Sequence, residues 1–180
     1  MSGSDGAAAG DGGLRICIVS DVFPPRYGGP GVQSSELAKR FVRSGSEVFV
    51  ITSGDSSPES YVIEGLEVFA VGAFEMGRLN LLRYSMQVAR ALFRHRRRFQ
   101  VVQFFSVGRS VYLPLIVARL CGKKAALSSS MLGDDDLATI GRGRLGKLYL
   151  WIVSLADAYL ANSHRIAEVS EAAAVQASAT

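Results

Sequence analysis

A chain of 180 residues with 48% hydrophobic and 20% charged side chains has the make-up of one compact globular domain and excludes a disordered protein. Two cysteines, Cys17 and Cys121, are too few for a disulfide framework and have no companions at metal-ligand spacing, which points to a reducing compartment without structural zinc. The net charge of +4 conceals a division: residues 1–77 hold five basic and ten acidic side chains, residues 78–147 fourteen and three, and residues 148–180 one and three, so the middle third is strongly electropositive and implies an anionic partner.

Residues 1–13, MSGSDGAAAGDGG, lack the basic and apolar regions of a signal peptide and read as a flexible leader to a single domain over 14–180. From Leu14 the run LRICIVS is a buried strand, closed by Asp21 and a Pro/Gly loop. Val32, Leu37, Ala38, Phe41 and Val42 then recur at helical spacing, with Gly45 placed as a C-cap. EVFVITS (Glu47–Ser53) is a second strand, and the crossover length between the two requires parallel pairing. Tyr61–Val71 predicts a strand pair turning at Gly65, Leu79–Arg98 a long helix, and Phe99–Phe105 another buried strand. A helix over Ser110–Leu120 ending at Gly122, a strand over Lys124–Ser130, and a loop over Met131–Gly143 follow. The pattern closes with a helix over Leu145–Ala156, a short strand over Ala158–Asn162 and a helix from Ser163 to Ala174. Alternation of this kind predicts an α/β, doubly wound, mostly parallel sheet, Rossmann-like, with ligands at the carboxyl ends of its strands. No stretch reaches the ~18 apolar residues that cross a bilayer.

The loop SDVFPPRYGGPGV is the most informative segment. Paired glycines let the backbone approach a ligand closely, and the helix that follows offers free N–H groups suited to phosphate. It is neither a dinucleotide fingerprint, since G-x-G-x-x-G is absent, nor a P-loop, since the closing Gly-Lys-Ser/Thr is missing. On composition alone a plain Gly/Pro connection reads equally well. Asp134, Asp135 and Asp136 are consecutive in a loop and do not suit one metal ion, which needs several spaced ligands. His164 reads as a helix-start residue, His95 as part of a basic face, and Cys17 as strand core.

Taken in order, Ser20–Pro25, Gly28–Gly29, Leu37–Ala38, Gly45 and Glu47–Thr52 resemble the opening of the family-4 retaining glycosyltransferases of GT-B architecture. The resemblance continues at Val101–Ser106, Ala118–Leu120 with Gly122–Lys123, Met131–Gly133 with Asp135 and Asp136, and Ala156–Ala158 through Asn162–Ser163. It implies the N-terminal, acceptor-side half of an enzyme that moves a sugar from a nucleotide-sugar donor to a lipid-linked or glycan acceptor with retention, without a metal or other cofactor. Gly28 and Gly29 would sit over the donor diphosphate and transferred sugar; Gln103, Ser130, Met131 and Gly133 would line the acceptor side. Members often carry His-x-His where this chain has Gln103 and Phe105, and a histidine where Ser130 stands, so no histidine is available there. The donor-binding C-terminal domain is expected just past Thr180 or on a partner chain, and the isolated 180 residues are expected not to turn over. The competing reading is a non-catalytic α/β adaptor on an anionic surface.

A second signal lies in the predicted helix Leu79–Arg98. Arg83, Gln87, Arg90, Arg94 and Arg97 fall on one stripe, and no acidic residue lies among the six arginines between Arg83 and Arg98. A solvated charged face is the plain reading. An anionic membrane surface is the functional one, with cytoplasmic location and peripheral attachment to the inner face, while Leu81 and Phe93 are expected to face the core. No nucleic-acid partner is expected, because the basic run has no interleaved aromatics and matches no recognised module.

Overall fold

The computed structural model describes residues 13–26, 28–55, 57–75, 77–129, 137–141, 145–161, 163 and 167–168. Among them run the strands β1 (Arg15–Ser20), β2 (Glu47–Thr52), β3 (Glu59–Ile63), β4 (Leu66–Ala70), β5 (Val101–Phe104), β6 (Lys124–Ser129) and β7 (Ala158–Ala161). The helices are α1 (Gly29–Arg43), α2 (Arg78–Arg94), α3 (Arg109–Leu120), α4 (Leu137–Gly141) and α5 (Gly146–Val153). The strands form one sheet in the order β3-β4-β2-β1-β5-β6-β7, parallel except for β3, which returns antiparallel on β4 through the turn at Gly65. The doubly wound Rossmann-like sheet read from the alternation is therefore the fold.

Alternation within the central strands divides the core. Ile16 and Ile18 of β1 face a cluster with Ala38 of α1, Val50 and Val68. Cys17 and Val19 face the opposite cluster, built with Tyr84, Val88 and Leu92 of α2, Leu115 of α3, and Ile152 and Val153 of α5. Thus α1 covers one side, while α2, α3 and α5 form a layer on the other.

Two helix ends follow directly from glycines with positive φ. Past α1, the N–H of Gly45 (φ 84) bonds the Val42 carbonyl and that of Ser46 bonds the Phe41 carbonyl, both at 3.0 Å. Past α3, Gly122 (φ 69) bonds Arg119 and Lys123 bonds Ala118 in the same way. These paired bonds satisfy carbonyls that each helix would otherwise leave open, and only glycine adopts that backbone without strain.

The largest boundary difference from the sequence pattern is at α2, which stops at Arg94 rather than Arg98. His95 packs its ring 4.3 Å from that of Phe69, and the Arg98 guanidinium lies 5.0 Å from the centre of the Phe49 ring while pairing with Glu67. Covering these aromatics requires the chain to leave the helix, so tertiary packing overrides the helical period. Arg97 consequently lies off α2, and its carbonyl accepts a 3.1 Å bond from Arg15 Nη1. The helix expected over Ser163–Ala174 falls almost wholly outside the described residues.

Candidate functional site

Strand order reverses beside β1: the chain passes from β1 to β2 on one side and later returns to add β5 on the other. In open α/β sheets ligands bind in the crevice outside the carboxyl ends at such a switch point. Two residues flank that crevice, Asp21 directly after β1 and Ser106 shortly after β5, and Ser106 Oγ donates to Asp21 Oδ2 at 3.4 Å. Beside Asp21 lies the buried hydroxyl of Tyr84 of α2, which has no hydrogen-bond partner among the described residues.

Burial raises the Asp21 carboxyl above its ordinary value, opposed by its polar neighbours Tyr84 and Ser106. The same burial, with Asp21 beside it, pushes the Tyr84 phenol well up, so it stays a neutral donor. A partly buried carboxyl without a cationic partner among the described residues, at the mouth of a sheet crevice, suits hydrogen bonding to a hydroxyl-rich ligand.

The loop after β1 is pinned at several points. Ser20 Oγ donates to the Val22 carbonyl (2.7 Å), Ser53 Oγ to the Asp21 carbonyl (2.6 Å) and Tyr61 Oη to the Pro24 carbonyl (2.8 Å). Phe23 is buried in the α1-side core, the Pro24–Pro25 peptide is cis, and Arg26 pairs with Asp55. This anchoring brings Gly28, the N-cap residue of α1, to the same edge as Asp21.

Among the described residues no side chain caps α1, and Pro30 has no N–H, so the open donors of its first turn there belong to Gly28, Gly29 and Gly31. Gly28 has extended φ (−176), which any residue adopts, and a Cβ on Gly29 would meet nothing within 4 Å. The fold itself therefore does not demand glycine at Gly29. Gly31 is different: its Cβ would lie 3.1 Å from the Val22 carbonyl oxygen.

Of the acceptor-side residues named from sequence, Gln103 is 5% exposed and its amide is committed, donating to Ser128 Oγ at 2.8 Å and to the Phe104 carbonyl at 3.2 Å. It braces β5 against β6 from within the sheet. Ser130, Met131 and Gly133 lie outside the described residues, as do Asp134, Asp135, Asp136 and His164. No group of metal-ligating side chains occurs among the described residues. Asp21 and Ser106 lie in the segments Ser20–Pro25 and Val101–Ser106 that carry the family resemblance but are not among the site residues named from sequence; an aspartate directly after the first buried strand of an α/β unit is the available signal. Two surface concavities, of about 180 and 210 Å3, lie elsewhere, one around Arg15 and Arg97 and the other between α1 and the β3–β4 turn.

Arg83, Arg90 and Arg94 stand exposed on α2, and no helix of the described residues is long and apolar enough to cross a membrane.

The chain belongs to the glycosyl transferase 4-like domain family, whose model matches residues 28–179. It has the fold of the N-terminal half of GT-B glycosyltransferases. Similar solved structures include UDP-GlcNAc 2-epimerase from Methanocaldococcus jannaschii, with a TM-score of 0.57 at 10% identity over 93% of this chain and 43% of that one. The apo form of the lipopolysaccharide outer core galactosyltransferase WaaB gives 0.56 at 15% identity over 92% and 44%. MurG from Acinetobacter baumannii gives 0.50 at 10% identity over 83% and 42%. These likenesses are of fold, and this chain spans less than half the length of each. No curated protein matches it in sequence.

Proposed function

We propose that this domain is the acceptor-side half of a retaining glycosyltransferase that moves a sugar from a nucleotide diphosphate to a glycan or lipid-linked acceptor. The observation that carries the reading is the trio of uncapped glycine N–H groups at the start of α1, on the carboxyl edge beside Asp21. Such donors offset charge that builds on a departing diphosphate, a contribution that is usually the largest in catalysis. Gly28 and Gly29 take the donor diphosphate and the transferred sugar. Asp21 and Ser106 orient an acceptor hydroxyl, with Gln103 holding β5 and β6 in place behind them, and Ser130, Met131 and Gly133 are proposed to bind the acceptor. No metal or other cofactor enters this scheme, because neutralisation falls to N–H groups and to basic residues of a donor-binding domain, supplied by a longer chain or a partner. The exposed arginines of α2 draw the domain, in the cytoplasm, to the anionic inner face of the membrane.

The test is to join the domain to its donor half, supply a UDP-sugar and a lipid-linked or free glycan acceptor, and read the product's anomeric proton by NMR. Retained configuration, together with loss of transfer on Gly29→Ala, supports the reading. Inverted product, or sugar transfer indifferent to Gly29→Ala and Asp21→Asn, overturns it.

A further inference from the structure

On α2 the large apolar side chains are not all turned inward. Leu79 is 81% exposed, Leu82 53%, Met86 49% and Phe93 54%. At 100° per residue these four fall within about 60° of one another, and Arg83, Arg90 and Arg94 occupy an adjacent stripe about 40° wide. Tyr84, Val88 and Leu92 make the buried side. Phe93, expected from sequence to face the core, lies instead under the Arg96 guanidinium at 4.2 Å. The three arginines of the stripe form no ion pair among the described residues.

Beyond α3 in the same helical layer, α5 repeats the apolar exposure with Leu145, Leu148 and Trp151 three residues apart. On the other face of the sheet α1 exposes Val32 and Val42, and its Lys39 is paired with Glu36 and Glu64. Exposed Arg40 and Arg43 also stand on α1, but the α2 side carries the larger apolar surface together with its basic stripe. That combination distinguishes an interfacial helix from a merely solvated one, because arginine keeps its head in the headgroup layer while apolar neighbours reach the acyl boundary.

We propose that the outward surface of α2, joined by that of α5 on the far side of α3, inserts shallowly into an anionic bilayer, so that the domain is held by apolar burial as well as by charge. This rests on the membrane-docking part of the reading above and names its mode. Because α2 begins at the carboxyl edge, Leu79 and Arg83 lie beside the crevice mouth, and Tyr84 behind them faces Asp21. Insertion therefore sets the crevice at headgroup level, where a lipid-linked acceptor presents its sugar.

Flotation of the chain with vesicles of phosphatidylglycerol in phosphatidylcholine, against phosphatidylcholine alone, tests this at ~0.1 M and ~1 M salt, where the Debye length falls from ~10 to ~3 Å. Wild type should bind the anionic vesicles and keep part of that binding at high salt. Trp151, the sole tryptophan, should shift to the blue and be quenched by brominated acyl chains. The L79S/L82S/F93S variant should lose about tenfold or more in partition at low salt and all binding at high salt. Its thermal midpoint serves as the folding control, and Leu79→Ser alone, at the most exposed of the four positions, replaces the triple variant if that one does not fold. Binding that vanishes at ~1 M salt and ignores the serine substitutions overturns insertion while charge docking survives. Failure to bind at low salt overturns both. A dimer abolished by the triple substitution assigns the face to a second copy and equally overturns the proposal. None of these outcomes bears on the transferase reading, which has its own test in the configuration of the product.

Discussion

Gly29 and Gly31 stand two residues apart in the first turn of α1 and are glycines for different reasons. Gly29 has open space around its Cα, so Gly29→Ala should change unfolding free energy by no more than about 0.5 kcal/mol, while a methyl group facing the donor lowers kcat/KM of the complete enzyme about tenfold or more. Gly31→Ala should cost about 1 kcal/mol in urea denaturation, because the new Cβ presses on the Val22 backbone. Asp21 supplies a prediction with a sign in pH. Its folded carboxyl titrates above the unfolded one, so its burial is free of penalty in acid, and stability is lost as pH rises through the raised value. Asp21→Asn should therefore raise the thermal midpoint at neutral pH and leave it unchanged below about pH 3, while transfer by the complete enzyme falls. Differential scanning calorimetry at both pH values checks the first half. Sequence placed Gly28 and Gly29 because glycine pairs are visible in one dimension. It did not reveal Asp21 and Ser106 as partners, because 85 residues separate them and only the strand order brings them together.

At the scale of elements, periodicity located the strands and helices and failed where side chains reach across the fold. The arginine run after Phe93 keeps the helical period, yet His95 and Arg98 are drawn to Phe69 and Phe49, contacts that no local pattern encodes. Phe93 departs in the opposite way: a large apolar residue at helical spacing reads as core, yet it is 54% exposed. The Ala156-Asp157-Ala158 segment also had a hidden structural use. Asp157 accepts from Arg119 Nη1 at 2.6 Å, Lys124 Nζ at 2.8 Å and the Ala125 N–H at 2.9 Å, tying α3, β6 and the start of β7. Lys124 and the Ala125 N–H, with Arg119, hold its carboxyl below the usual range. The stabilisation is present above the unfolded carboxyl value and is lost as pH falls through the depressed folded one. Asp157→Ala should cost about 1–2 kcal/mol at neutral pH, a range that discounts for its partly exposed partners. The difference should shrink in acid, as equilibrium unfolding at a series of pH values will read.

For the whole molecule, the class of fold was legible because a parallel sheet buried on both faces writes its strands as continuous apolar runs. Its two-sided core makes one cooperative unit: Leu115→Ala, at a position with no exposure, should cost about 2–5 kcal/mol yet leave urea unfolding a single transition. The 180-residue chain by itself should transfer no sugar and bind a nucleotide sugar only weakly, and adding the donor-binding domain should restore both, measured by calorimetry and product formation. Finally, Tyr84 belongs to the same rigid helix that carries Leu79 and Arg83 on its outer side. Any displacement of α2 moves a phenol against the carboxyl at the crevice mouth, so occupation of the outer surface and occupation of the crevice share one lever. By thermodynamic reciprocity, whatever effect a ligand at Asp21 has on the outer contacts of α2, a partner on that outer surface has in equal measure on the ligand.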